Sequence, residues 1–146
     1  MEKTVKNKNF VFGLGRRKEA SAEVRIYTAS AKWGEIDVEK GQILVNKVKA
    51  EEYFGKNKDV VYTQPLRLTN SLGKFAITVR VKGGGKDGQL KAMVLGISRA
   101  LNLLDKDKHR LVLKKEGLLT RDPRVRERRK VGMGGKSRRR KQSPKR

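Results

Sequence analysis

Phe75, Ile77, Val79 and Val81 alternate with Ala76, Thr78 and Arg80, a period of two that predicts a strand with one buried face. Ala22, Val24 and Ile26 alternate in the same way with Glu23, Arg25 and Tyr27, and Ile43 with Val45 is expected to pair back on that strand through a turn near Lys40 and Gly41, as a hairpin or meander. Further along the period changes. Leu90, Met93, Val94, Ile97, Leu101 and Leu104 recur at the intervals of one helical face, with Asp87 placed to cap its N-terminus. A shorter helix from about Asp105 to Lys115 stops at Gly117, and a single helical turn fits Lys49 to Phe54. Strands come first and helices later, so the predicted class is α+β.

The apolar periodicity ends near Thr120, and charge takes over. Residues 1–120 hold 25 basic and 13 acidic side chains, whereas residues 121–146 hold 13 basic and two acidic ones, with Val125, Val131 and Met133 as their only large apolar residues. So few core-forming side chains cannot offset an ordering cost of about 1–2 kcal/mol per residue. The expected organisation is a flexible extension over 1–9, a globular α+β domain over 10–120 and an extended basic arm over 121–146. For the whole chain, 38 Lys and Arg stand against 15 Asp and Glu, a net charge of +23. Self-repulsion on that scale makes physical sense opposite a polyanion. The absence of Cys and the single His exclude disulfides, thiolate chemistry, zinc clusters and a histidine-based triad. With no long apolar run and no signal-like N-terminus, the expectation is a cytoplasmic protein that engages no membrane.

Several motifs carry candidate chemistry. Gly83-Gly84-Gly85-Lys86-Asp87-Gly88 satisfies the spacing of a dinucleotide loop between a strand and a helix. Too little chain follows it to build the remaining βαβ units, so contact with a nucleic-acid phosphate, or a purely conformational glycine turn, fits better than a soluble nucleotide. Gly135-Lys136-Ser137 resembles the end of a Walker A loop, but Lys130 stands where that loop needs glycine. His109 reads as a solvated surface histidine. Asp122 and Glu127 read as local partners of the arm's arginines rather than as catalytic acids. Gly13-Leu14-Gly15-Arg16-Arg17-Lys18 sets three cations beside a flexible turn, and from Lys130 to Arg146 there are eight cations and no acid. Arginine forks suit bidentate phosphate contact and lysines add point charge. Aromatic residues make up 5% of the chain, which argues against base stacking as the main device and for shape and backbone recognition of a folded RNA. A nucleic-acid chaperone or DNA-compacting protein is the alternative that the arm alone permits.

Taken in order, the motifs resemble the small-subunit ribosomal proteins of the family numbered nine, in its bacterial form. The resemblance rests on Gly13-Leu14-Gly15-Arg16-Arg17-Lys18-Glu19-Ala20, Val45-Asn46, Glu52-Tyr53-Phe54, Gln64-Pro65-Leu66, Val81-Lys82-Gly83-Gly84-Gly85, Gly88-Gln89 and Ser98-Arg99-Ala100-Leu101. It continues through Gly117-Leu118-Leu119-Thr120-Arg121-Asp122, Arg124, Glu127-Arg128-Arg129-Lys130 and Lys145-Arg146. The resemblance implies a four-stranded sheet packed against helices, with a left-handed βαβ crossover like that of the second domain of ribosomal protein S-five, and a long extended basic C-terminal arm. It implies a non-enzymatic protein without cofactor or small-molecule substrate, whose partners are small-subunit ribosomal RNA, peptidyl-site tRNA and other proteins of the subunit head. Ribosomal RNA contacts are then expected from Arg16, Arg17, Lys18, Gly83, Gly84, Gly85, Gln89, Arg99, Arg121, Arg124, Arg128, Arg129, Lys130, Lys136, Arg138, Arg139, Arg140 and Lys141, and tRNA contacts from Lys145 and Arg146. Two departures stand out. The connection from Tyr27 to Gln42, with Trp33, is longer than the family's usual tight turn, and Gln142-Ser143-Pro144 replaces its usual Gln-aromatic-Ser. Trp33 either contacts a neighbouring molecule or closes a longer hairpin.

Overall fold

The computed structural model describes residues 10–132. β1 (Val11–Arg17) and β2 (Ala20–Tyr27) form an antiparallel hairpin closed by Lys18 and Glu19, with Lys18 at φ 51°. β7 (Ala76–Lys82) pairs antiparallel with the other edge of β2, and β5 (Ile43–Val45) pairs parallel with β7. β6 (Val48–Lys49) returns antiparallel on β5. The sheet order is therefore β1-β2-β7-β5-β6. It has five strands where four were expected, the fifth being the two-residue β6. Ile43 and Val45 do not pair back on β2 as expected, because β7 holds that edge through seven registered pairs from Ser21↔Lys82 to Tyr27↔Ala76, more than three-residue β5 could offer.

The turn from β5 to β6 shows why Val45-Asn46 is followed by a lysine in an unusual conformation. Asn46 and Lys47 have φ 49° and 71°, the pair of positive values that a tight hairpin turn with the sheet's own twist demands. Asparagine tolerates that backbone and adds an amide: Asn46 Nδ2 donates to the Val81 carbonyl at 3.1 Å, and Val81 N–H donates to Asn46 Oδ1 at 3.0 Å. The side chain thus continues the β7 ladder beyond the end of β5.

The connection from β5 to parallel β7 crosses one face of the sheet and includes α1 (Ala50–Phe54), a 3-10 turn at Lys56–Lys58 and α2 (Asp59–Leu68). α3 (Lys86–Leu104) and α4 (Lys106–Lys115) follow β7. The expected α3 face is buried at Leu90, Met93, Val94, Ile97 and Leu101, against Ala22, Val24, Ile26, Ile77, Val79 and Val81 of the sheet. Asp87 is not the cap. The helix begins at Lys86, with extended Gly85 as N-cap, so Asp87 falls in the first turn and pairs with Lys58 at 3.2 Å. α4 ends as its sequence predicts. Gly117, at φ 69°, donates to the Lys114 carbonyl and Leu118 N–H to the Leu113 carbonyl, both at 3.0 Å, the paired bonds of a glycine-terminated helix.

The alternation in β7 predicts one buried face, and the strand buries part of both. Ala76 and Thr78 are enclosed along with Ile77, Val79 and Val81. The cause is a second, two-stranded sheet, β3 (Ala31–Trp33) with β4 (Ile36–Val38), in which Val38 joins Leu44 and Ala76 in a small apolar cluster flanked by Tyr27, Trp33 and Ile36. The long connection after Tyr27 is thus a hairpin laid over one end of the face opposite the helices, and half-buried Trp33 helps to close it.

Candidate RNA-binding interface

Gly13 and Gly15 lie within β1, not in a flexible turn. A Cβ on Gly15 would stand 1.8 Å from the Ala92 carbonyl oxygen, and one on Gly13 would stand 2.2 Å from that of Gly96. These glycines let the α3 backbone rest directly on β1. That contact places the last residues of β1 beside α3, where Arg16, Arg17, Lys91, Val94, Leu95, Gly117, Leu118, Thr120 and Asp122 line a groove of about 140 Å³.

Arg17 faces inward, only 9% exposed. Its guanidinium pairs with Asp122 at 3.0 Å and donates to the Arg124 carbonyl at 2.6 Å. Arg124 folds back on the same carboxylate, with Nη2 2.7 Å from Oδ2 and its main-chain N–H 3.0 Å from Oδ1. The first residues of the arm are therefore tied to the end of β1. Hydrogen bonds from the Arg124 side chain and backbone, helped by the charges of Arg124 and Arg17, hold the Asp122 carboxyl well below the usual carboxylate range; partial desolvation opposes this and is outweighed. A carboxyl lowered on folding stabilises the anchored state above its unfolded value of about 3.9 and loses that contribution as pH falls through the folded value. In a carbon-detected NMR titration, the Asp122 carboxyl is expected to stay ionised well below the midpoint of about 3.9 of a free aspartate. Arg124→Ala should move it back toward that value, and an ordinary midpoint in the parent chain would contradict the anchor.

The glycine loop packs against the turn of the β1–β2 hairpin. Gly83 and Gly84 have φ 70° and 60°, and a Cβ on Gly83 would lie 2.5 Å from the Glu19 carbonyl oxygen. Left-handed backbone costs other residues roughly 1–2 kcal/mol, so conformation and close approach both require glycine here. Gln89 secures the loop, donating from Nε2 to the Gly83 carbonyl at 3.1 Å while Oε1 accepts from the Tyr53 hydroxyl at 2.9 Å. Lys86 stands over the Tyr53 ring, 5.9 Å from its centre. Lys18, the glycine loop and the start of α3 thus form one exposed edge with unpaired main-chain N–H groups at the helix terminus, a geometry that suits a phosphate.

The expected contact residues divide into three sets. Arg16, Lys18, Arg121, Arg128, Arg129 and Lys130 are exposed, as are Gly83, Gly84 and Gly85. Arg17, Gln89, Arg99 and Arg124 are committed to the protein, Arg99 by donating to the Leu14 carbonyl at 2.8 Å. Lys136, Arg138, Arg139, Arg140, Lys141, Lys145 and Arg146 lie outside the described residues. Within the arm, Glu127 pairs with Lys130 at 3.7 Å, local pairing of the expected kind, although Asp122 also reaches outside the arm to Arg17. His109 departs from expectation. Half-buried, it places Nδ1 3.0 Å from the Leu101 carbonyl, so the ring closes the α3–α4 corner rather than standing in solvent. Exposed Lys86, inside the glycine motif, and Lys91 are absent from the expected contacts; of the two, Lys91 carries no signal in the sequence, and only its place in the fold brings it to this edge.

No helix among the described residues is long and apolar enough to cross a membrane, and no described group of His, Asp and Glu could hold a metal ion. A family model described as Ribosomal protein S9/S16 matches residues 15–146. The chain is also 44% identical over 130 residues to the small ribosomal subunit protein uS9 of Maridesulfovibrio salexigens, an alignment covering 88% of this chain and 92% of that one. With motifs, fold and basic edge in agreement, the chain belongs to the ribosomal protein S9/S16 family and is a structural, non-enzymatic constituent of the small ribosomal subunit.

Proposed function

We propose that this protein, in the cytoplasmic small subunit, binds the ribosomal RNA of the subunit head through its globular edge and its arm, and that Lys145 and Arg146 contact peptidyl-site tRNA. The observation that carries this reading is the anchored exit of the arm. Arg17 and Asp122 fix the first residues, after which Arg126, Arg128, Arg129 and Lys130 are all exposed on chain without helix or strand. A basic segment with one end fixed and no core of its own gains order by lying between phosphates. Arg16, Lys18, Lys86 and Lys91, with the glycine loop, supply the contacts of the folded part, while neighbouring head proteins are the remaining partners.

Removing residues 143–146 tests the tip. Two cations are lost without disturbing the anchor, so incorporation into subunits is expected to persist while tRNA retention on isolated small subunits weakens. Unchanged tRNA binding by subunits carrying the shortened chain would overturn the proposed role of Lys145 and Arg146.

A further inference from the structure

We infer that the outer face of the sheet, on the side away from α3, is a second RNA-docking surface, bounded by the β3–β4 hairpin and directed at the phosphate backbone. This rests on the reading of the chain as a ribosomal RNA binder, but apart from Arg16, which borders both, it concerns residues outside the edge and arm described above. The register sets one row of that face as Arg16, Ser21 and Lys82 and the next as Leu14, Glu23 and Arg80, with Arg25 opposite Thr78. Four cations therefore share the face. Same-face neighbours on a strand are about 6.8 Å apart, and diagonal neighbours across strands about 7–8 Å, so all four fall within the footprint of a short stretch of backbone.

Their pairing state supports the assignment. Among the described residues none of Arg16, Arg25, Arg80 and Lys82 lies in an ion pair, and Glu23 is the one carboxylate among them on the two rows. Arg25 stacks by cation–π contact, its guanidinium 5.1 Å from the centre of the Phe10 ring. Four cations against one acid leave this face net positive, complementary to phosphate rather than to a basic protein.

The hairpin decides where the surface ends. Residues 28–41 carry three acids, Glu35, Asp37 and Glu39, against two lysines, so the insert repels the polyanion that the open end attracts. Trp33 stands at the boundary, lining a hollow with Glu23, Arg25, Thr78 and Arg80. An RNA strand entering from the Arg16 and Lys82 end would stop against its ring, where an aromatic side chain can pack on a base or ribose.

Trp33 is the only tryptophan of the chain, so its fluorescence reports on this face alone. Titrating the full chain with the head fragment of small-subunit ribosomal RNA is expected to change Trp33 emission in step with binding measured on filters. In Arg80→Gln/Lys82→Gln, both positions exposed, the slope of log affinity against log salt should fall by about 1.4–1.8, the value for two lost phosphate contacts. RNA binding with unchanged Trp33 emission and an unchanged slope in the double variant would overturn the inference, leaving the face bare or covered by protein, while the arm and edge reading stood. Failure of the parent chain to bind the fragment would remove both.

Discussion

Gly15→Val is expected to produce the largest loss of stability of any single substitution in the sheet. Even a methyl group at this position would stand 1.8 Å from the Ala92 carbonyl oxygen and 2.7 Å from the Gly96 nitrogen. Both obstacles are helix backbone, so no side chain can rotate away to make room. Overpacking against movable side chains already costs about 1–3 kcal/mol; here β1 or α3 must shift as a unit. The neighbouring strand gives no slack, since a Cβ on Gly96, on the same face of α3, would stand 2.6 Å from Val24 Cγ2 of β2. A cost above about 3 kcal/mol, or a fall in Tm of roughly 10 °C or more, is therefore expected. Gly85→Ala is the control, since Gly85 has φ −102° and open space where a Cβ would go; it should change Tm little. If Gly15→Val melted with the parent protein, the backbone-on-backbone contact would be refuted. The consequence reaches the interface, because the same contact sets Lys91 of α3 and Arg17 of β1 around the arm's exit.

That contact shows where the sequence was legible and where it was not. Period-two and helical stripes located β2, β7 and α3, since those elements bury apolar side chains at their own spacing, whereas α4, which buries only Leu113, was legible through its Gly117 stop. Gly13 and Gly15 carry no side chain to enter such a pattern, so β1 resembles a turn in sequence although it is a strand whose side-chain-free face meets α3. α2 escaped for a different reason. Pro65, Val60, Val61 and Thr63 all disfavour helix, and only burial of Tyr62, Pro65 and Leu66 against the core holds it. The hairpin after Tyr27 has three-residue strands, too short for a period to be read.

The interface divides along the same line. Charge could be counted from the sequence, but not which cations would be consumed internally. Arg16-Arg17-Lys18 reads as one uniform run of cations, yet strand alternation sends Arg17 to the helix side, where Asp122 takes it, and leaves Arg16 and Lys18 exposed.

The second large effect is expected from the arm. Residues 133–146 carry seven cations and no acid, so their removal should lower the slope of log affinity against log salt by about 5–6 if each cation meets one phosphate, at roughly 0.7–0.9 per contact. The full chain should therefore lose about three orders of magnitude in affinity for the ribosomal RNA fragment between 50 and 200 mM salt through these contacts alone, and the shortened chain should lose far less. A second variant separates charge from shape. Replacing Arg138, Arg139 and Arg140 together by lysine keeps all seven charges, so the slope should stay near that of the parent. Affinity should still fall, because an ammonium cannot make the paired, planar contact of a guanidinium with a phosphate. Equal affinity in the lysine variant would mean that the arm acts as a diffuse polycation, whereas a fall at constant slope would mean that its arginines occupy fixed positions among the phosphates. A slope unchanged by removing residues 133–146 would refute the arm as an RNA-binding element and leave the globular edge and outer sheet face to account for binding.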